Sequence, residues 1–443
     1  MTTAFEFGST DIIPPFCSDG VTFTFLEDGC VTSALGFHAA GIHAGFRKEP
    51  ERLDCAMVVA DDLCPVAATF TQNIFCAAPV LVSKEHLNNN NYGLARAVVV
   101  NSGNANAATG ETGLACAKQT AQIASDTLAC LPEEVLMAST GVIGQILDTT
   151  PFKQALPGMA QKIATQTTEE ARLQGGHDAA RAIMTTDTVA KQAAVSFVSQ
   201  DPEYEGVTFT VGGMAKGSGM IMPNMATMIS VLTTDAPVAA PALHNALVQA
   251  VGKSFNKVTV DSDTSTNDSC FLFASGKAVS AEAPLITEDS PAYKELSVAL
   301  NVLTQYLARK MARDGEGATK LVTVIVRGAA NEKEADMAAR TVANSPLVKT
   351  AIFGHDANWG RIAGALGRSG ARFNAEDVSI SIMGIPVCEH GLTVPFSEEE
   401  ALRRFELPEI ILEANLGAGS AEATIWTCDF SHDYVTINGD YRT

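Results

Sequence analysis

The stretch Lys216-Gly-Ser-Gly-Met-Ile-Met-Pro-Asn-Met-Ala-Thr-Met-Ile-Ser-Val-Leu-Thr-Thr-Asp-Ala236 changes character in its middle. Gly217, Gly219 and the pair Pro223-Asn224 are loop and turn residues. After Ala226 the chain becomes an apolar, β-prone run, and a strand is expected over 227–232. A tight loop therefore delivers one hydroxyl, Thr227, to the start of a buried strand, directly after the small residue Ala226. Two readings stand side by side. One is an ordinary loop entering a strand. The other is a chain that cuts itself, the Thr227 hydroxyl attacking the Ala226 carbonyl and freeing a new N-terminus. The free α-amine of such a product has a pKa near ~8 before perturbation, so nucleophile and base would share one residue.

Working outward, other strand ends carry the same kind of small polar residues. Ala95–Val100 reads as a buried strand that empties into Asn101-Ser-Gly-Asn-Ala-Asn-Ala, either a plain connecting loop or a site rich in donors. Val135–Gly144 is a second strand ending in Ser-Thr-Gly. Its pattern alone reads as a turn; the alternative is that the Gly141 N–H and the Thr140 hydroxyl point at one oxygen, as an oxyanion hole requires. A turn at Asp61–Pro65 separates two expected strands, Cys55–Ala60 and Ala67 onward. The glycines and alanines between Gly36 and Arg47 imply close backbone packing. Helices are expected over residues 111–131, from Thr150 (N-cap, with Pro151 at the first turn) to about Thr167, through Leu243, Leu247, Val251 and Phe255, and through Leu296, Leu300, Leu303 and Leu307. Further strands are expected at Gly206–Gly212, Leu321–Val326, Val378–Met383 and Ala423–Phe430.

The chain has 443 residues, of which 46% are hydrophobic and 18% charged, enough for two or three well-buried domains. No apolar run reaches the roughly 18 residues of a membrane span, and the N-terminus shows no secretory pattern, so a cytoplasmic protein is expected. The net charge of −20 argues against nucleic acid or an anionic membrane as partner. Acidic metabolites remain possible ligands if local cations and amide donors are supplied. Ten scattered cysteines without a Cys-x-x-Cys, and eight histidines without a cluster, favour reduced thiols over a disulfide scaffold or a metal site. The hydroxyl- and carboxylate-rich stretch Val258–Ser269 lacks the Gly and terminal Glu of a calcium loop and reads as polar packing.

Met214-Ala-Lys-Gly-Ser-Gly-Met together with Pro223-Asn-Met-Ala-Thr-Met resembles the ornithine acetyltransferase (glutamate N-acetyltransferase) family, whose members are made as precursors that cleave themselves at Ala-Thr. The resemblance runs from about Gly36 to the last residue, with a departure at Phe353 and His355, where smaller or polar residues are common. It implies an α+β protein of two mixed α/β domains with layered sheets and helices. Residues 1–226 would form the α chain and N-terminal domain, and residues 227–443 the β chain, C-terminal domain and substrate-binding tail. It further implies cleavage at Ala226-Thr227, Thr227 as nucleophile, and Thr140 and Gly141 as the oxyanion hole. Substrate contacts would come from Thr185 (ahead of its neighbour Thr186), Lys216, Thr227, Glu316, Asn438 and Thr443. Unaided, Lys216 reads as a solvated loop lysine, Glu316 as an exposed turn, and Asp433–Thr443 as a fraying tail; the chain ends where the resemblance expects an intact C-terminus. His355 receives no catalytic role.

The implied activity is acetyl transfer from N2-acetylornithine to glutamate through an acetyl-Thr227 intermediate in arginine biosynthesis. No cofactor is implied, with acetyl-CoA a co-substrate if the enzyme is bifunctional, and the two chains would associate as a heterotetramer. Two other classes compete: a self-cleaving aminopeptidase or amidohydrolase, which hydrolyses rather than transfers, and a scaffold that never cleaves.

Overall fold

The computed structural model describes residues 20–222 and 228–440. It divides into two compact units, one of Phe16–Asn256 with Thr264–Leu307, the other of Lys257–Asp263 with Ala308–Arg442. These units do not follow the division at 226/227 expected for the domains. The nearest described residues on either side, Met222 and Met228, both belong to the first unit, and among the described residues the chain passes twice into the second.

The first unit holds a nine-stranded sheet among the described residues. Its strands are β1 (Phe23–Phe25), β2 (Phe37–Ile42), β3 (Cys55–Phe70), β4 (Tyr92–Asn104), β5 (Val135–Val142), β6 (Lys191–Val198), β7 (Thr208–Lys216), β8 (Ile229–Thr234) and β9 (Ser269–Ala274). They are ordered β1-β6-β7-β8-β9-β3-β4-β5, with β2 also paired to β3. Its helices are α1 (Ala78–His86), α2 (Gly110–Leu128), α3 (Thr150–Ala164), α4 (Glu169–Ala182) and α5 (Ala240–Lys253). The parallel pairs β4/β5 and β8/β9 are each joined through a helix, α2 in the first case and α5 in the second, as a parallel crossover needs.

Both sheet faces are buried, which explains the unbroken apolar runs. Ala56, Val58 and Ala60 of β3 join the core containing Ala179 and Ala180 of α4. The alternate residues Cys55, Met57 and Val59 join the core containing Phe152, Leu156 and Met159 of α3. The small residues near Gly36–Arg47 do admit close approach: a Cβ on Gly41 would lie 2.1 Å from the Asp178 carbonyl oxygen of α4.

Local readings shift in three places. The expected turn at Asp61–Pro65 is a bulge within one 16-residue strand. Pairing with β4 resumes at Cys64 after breaking at Val59, so the chain continues forward while Asp61, Asp62 and Leu63 face solvent. Thr149, not Thr150, is the N-cap of α3. Lys216 is not in the Gly-rich loop but is the last residue of β7, paired with Ile229.

The division between the units falls within α6 (Pro291–Arg313). The second unit contains β10 (Leu321–Ala329), α7 (Glu332–Ala343), α8 (Pro346–Phe353), α9 (Trp359–Gly367), β11 (Ser379–Ile382), β12 (Ile385–Glu389), β13 (Leu392–Thr393), α10 (Glu398–Phe405), β14 (Glu409–Asn415), β15 (Ala421–Cys428) and α11 (His432–Asp440). Its sheet is ordered β13-β12-β11-β14-β10-β15. Val322, Val324 and Val326 of β10 pack with Ala335, Ala338 and Val342 of α7, the core stripe of an amphipathic helix. His355 stacks on Phe405 at 6.0 Å, a packing role. Each unit is therefore a mixed α/β layer, as the resemblance implies.

Candidate active site

In the first unit, four strands bring chemistry to one end of the sheet. β4 and β5 run parallel in register, Ser102 beside Thr140 and Gly103 beside Gly141. Gly141 has φ +132°, and a Cβ there would sit 2.3 Å from the Gly103 carbonyl carbon. No side chain fits, so the backbone of β5 presses directly on β4. The end is fixed from behind by amide side chains. Asn267 Nδ2 donates to the carbonyls of Ala105 (2.6 Å) and Ser139 (2.8 Å), and Ser139 Oγ donates to Asn101 Oδ1 at 2.6 Å. Thr140 is only half-buried and turns its hydroxyl toward a cation: Lys216 Nζ donates to Thr140 Oγ1 at 3.2 Å.

Lys216 is itself buried, at 6% exposure. The residue after it, Gly217, donates its N–H to Asp187 Oδ1 at 2.8 Å. Asp187 lies in the connection from α4 to β6 and accepts the Thr185 N–H on its other oxygen, at 2.9 Å. Lys191 Nζ sits 2.6 Å from Asp187 Oδ1, with both side chains fully buried. Burial pushes the Asp187 carboxyl up, but the ammoniums of Lys191 and Lys216 outweigh it and hold the group far below the usual carboxylate range.

The same connection is gripped by two guanidiniums. Arg47 donates to the Met184 carbonyl at 3.0 Å and Arg52 to the Thr185 carbonyl at 2.6 Å. Their loop is shaped by buried Asp54, which accepts the N–H groups of Ala44 (2.6 Å) and Arg47 (2.8 Å). Arg47, Arg52, Lys191 and Lys216 thus converge in a chain of net charge −20. Lys191 is paired with Asp187, Arg47 and Arg52 donate to backbone carbonyls, and Lys216 is directed at Thr140.

In the second unit, Glu316 and Asn438 meet: Asn438 Nδ2 donates to Glu316 Oε2 at 2.8 Å. Glu316 is 7% exposed, so the exposed-turn reading fails. The glycines on either side explain its placement. A Cβ on Gly315 would lie 2.8 Å from Cys428 Sγ, and one on Gly317 would lie 2.5 Å from the Tyr434 nitrogen. The loop is thereby bedded against the end of β15 and the first turn of α11, so the expected fraying tail is a helix through Asp440. Phe430 and Tyr434 stack at 4.7 Å beside it. Burial, then the carboxylates of Asp261, Glu316 and Asp263, raise the Tyr434 hydroxyl well above its ordinary range.

Of the residues expected from sequence, Thr140, Gly141, Thr185 and Lys216 are joined in the first unit, Thr185 through Asp187 and Gly217. Glu316 and Asn438 are joined in the second. Ala226, Thr227 and Thr443 lie outside the described residues. Sequence reading missed Arg47, Arg52, Asp187, Lys191 and Asn267. One signal was available: Asp187 and Lys191 are the only charged residues between Arg181 and Asp201. Among the described residues no group of three or more His, Cys, Asp or Glu is arranged to hold a metal, and no helix is long and apolar enough to cross a membrane.

The sequence model of the ArgJ family matches residues 38–443. The arginine biosynthesis bifunctional protein ArgJ of Thermosynechococcus vestitus is 42% identical over 431 residues, covering 94% of this chain and 98% of that protein. Its counterpart from Symbiobacterium thermophilum is 45% identical over 416 residues, covering 94% and 99%. Among solved structures, ArgJ from Bacillus halodurans aligns at 44% identity with a TM-score of 0.47, over 48% of this chain and 100% of that chain. Ornithine acetyltransferase from Mycobacterium tuberculosis, complexed with ornithine, aligns at 35% identity with a TM-score of 0.39, over 46% and 99%.

Proposed function

The chain belongs to the ArgJ family and is an acyltransferase of arginine biosynthesis, and on that premise we propose that it moves the acetyl group of N2-acetyl-L-ornithine to L-glutamate through an ester on Thr227. The precursor is cut between Ala226 and Thr227 by attack of the Thr227 hydroxyl on the Ala226 carbonyl. The freed α-amine then serves as base for the same hydroxyl. In the first half-reaction, Thr227 Oγ bonds to the acetyl carbon, its proton passes through the α-amine, and the C–N bond to ornithine breaks as that nitrogen takes the proton. In the second, the glutamate amine attacks the ester, Oγ leaves and is reprotonated, and N-acetylglutamate departs.

The observation that carries this reading is the end of β5. A threonine hydroxyl lies 3.2 Å from a buried ammonium, beside a glycine whose backbone is fixed by the neighbouring strand. Donors held in advance where an oxyanion develops are each worth ~10²–10³ in rate. Thr140 and Gly141 take that role, with Lys216, Thr185, Glu316, Asn438 and Thr443 as the substrate contacts. The acetyl group travels on the protein itself, so no cofactor is needed. Acetyl-CoA is the second donor to test, since the relatives are named bifunctional. The two chains stay associated as a pair of heterodimers. Among the described residues all nine cysteines are free thiols, which suits a cytoplasmic setting.

The test is intact-mass spectrometry before and after adding N2-acetylornithine, with acetyl-CoA in a parallel sample. Two chains are expected, the later one beginning at Thr227 and gaining one acetyl group. Two chains without acetylation would overturn the substrate, and a single uncut, unacetylated chain in an active preparation would overturn the nucleophile.

A further inference from the structure

Two lysines compete for one buried carboxylate next to the proposed oxyanion hydroxyl. Asp187 and Lys191 are both fully buried and 2.6 Å apart. Asp187 also holds the N–H of Gly217, the residue directly after Lys216, at 2.8 Å. The Lys216 ammonium is near enough to help depress the Asp187 carboxyl, yet its Nζ is directed at Thr140 Oγ1, 3.2 Å away. A buried carboxylate without a counter-ion is strongly unfavourable and draws the nearest cation. We propose that Lys191 is a positioning residue whose task is to occupy Asp187, so that Lys216 serves Thr140 and the substrate instead of collapsing onto Asp187.

The pair has a second effect on the same site. Asp187 accepts the Thr185 N–H at 2.9 Å, so one carboxylate sets both the Thr185 and the Gly217 backbones. With Lys191 in contact, Asp187 can hold these N–H groups without pulling on the catalytic end of Lys216. Without Lys191, the two demands on Lys216 conflict. β6 places Lys191 opposite Ala215, one residue before Lys216.

This inference rests on the acetyl-transfer reading, and its test is a double-mutant cycle on the full chain with N2-acetylornithine as substrate. Lys191→Met keeps length and removes the ammonium. Its KM is expected to rise about tenfold or more, the scale of one charge-assisted contact, with a smaller change in kcat. Asp187→Asn/Lys191→Met removes the carboxylate on which Lys216 would collapse. One amide oxygen cannot hold both N–H groups, so the double variant is expected to bring KM below that of Lys191→Met and to within about threefold of Asp187→Asn alone, because no carboxylate is left for Lys191 to occupy. A pair that only packs the core would show the opposite sign, the double variant being no better than the single. A folded Lys191→Met protein with the parent KM would overturn the proposal. So would a double variant with a KM about tenfold above that of Asp187→Asn alone, which decides the matter even if Lys191→Met by itself does not fold. A parent chain that is never acetylated would instead sink the acetyl-transfer reading.

Discussion

Replacing Gly141 by Ala tests fold and chemistry together, because the glycine is demanded by two separate features. Its φ is +132°, a backbone region that an alanine occupies only under strain. The added Cβ would lie 2.3 Å from the carbonyl carbon of Gly103 and 2.6 Å from both the Gly103 oxygen and the Asn104 nitrogen. All three atoms are backbone, so no side-chain rotation relieves the clash. Relief requires β4 and β5 to part where Gly103 and Gly141 are in register. Dihedral strain of ~1–3 kcal/mol and overpacking of ~1–3 kcal/mol together predict a loss of roughly 2–6 kcal/mol in stability. The displaced Gly141 N–H also no longer meets the oxyanion, at ~10²–10³ in rate. The assays are thermal unfolding and the initial rate of chain acetylation by N2-acetylornithine, normalised to folded protein. Thr140→Val serves as the companion, removing a half-buried hydroxyl without touching the backbone. It is expected to lose ~10²-fold in rate at near-parent stability. Parent stability in Gly141→Ala would refute the close contact, and full rate in the folded fraction would refute the oxyanion assignment.

Four further outcomes are expected. Gly317→Ala should raise KM through Glu316, since its Cβ would lie 2.5 Å from the Tyr434 nitrogen; an unchanged KM would remove the claim that α11 positions Glu316. Asp235, whose oxygens accept the N–H groups of Thr210 (2.7 Å) and Leu35 (3.1 Å), is pushed by burial up to about 6 despite those bonds. The folded state therefore binds its proton more tightly than the unfolded chain, and the associated stability is present below pH ~4 and lost as pH rises through about 6. The stability difference between parent and Asp235→Asn should thus fall by roughly 2–3 kcal/mol from pH 4 to pH 7 in urea titrations, and a flat difference would refute the burial effect. Finally, Thr227→Ala should abolish both cleavage and acetylation, while removal of Thr443 should raise KM more than it lowers the unfolding midpoint; equal losses would discard Thr443 as a substrate contact.

Much of this was legible because local chemistry and global fold agree. The Val-rich runs of β4 and β5 announce strands, and their Gly- and Ser-bearing ends announce close backbone approach. The leucine spacing of α6, four, three and four residues from Leu296 to Leu307, announces a helix. Other features leave no periodic trace. Asp187 and Lys191, four apart, would be a surface pair on a helix but here straddle a strand entry, which only tertiary pairing reveals. Asp61–Pro65 carries turn residues yet stays in line, since β4 pairs on either side of it. The boundary between units was illegible because it is drawn by contacts far apart in sequence. Lys257–Asp263 joins residues beyond Ala308, and nothing in its composition says so.

β8 lies between two neighbours, antiparallel to β7 along Lys216–Val211 and parallel to β9 along its whole length. If the backbone is severed just before it, the new chain begins as a plank already nailed on both sides. Dissociating the pieces would mean tearing the sheet open through its middle, not parting two surfaces. Native chromatography should then give a single species where a denaturing gel gives two. Pieces made separately should fail to find each other, since neither alone has a finished sheet to offer. Maturation would be a one-way event that changes connectivity while leaving the architecture in place.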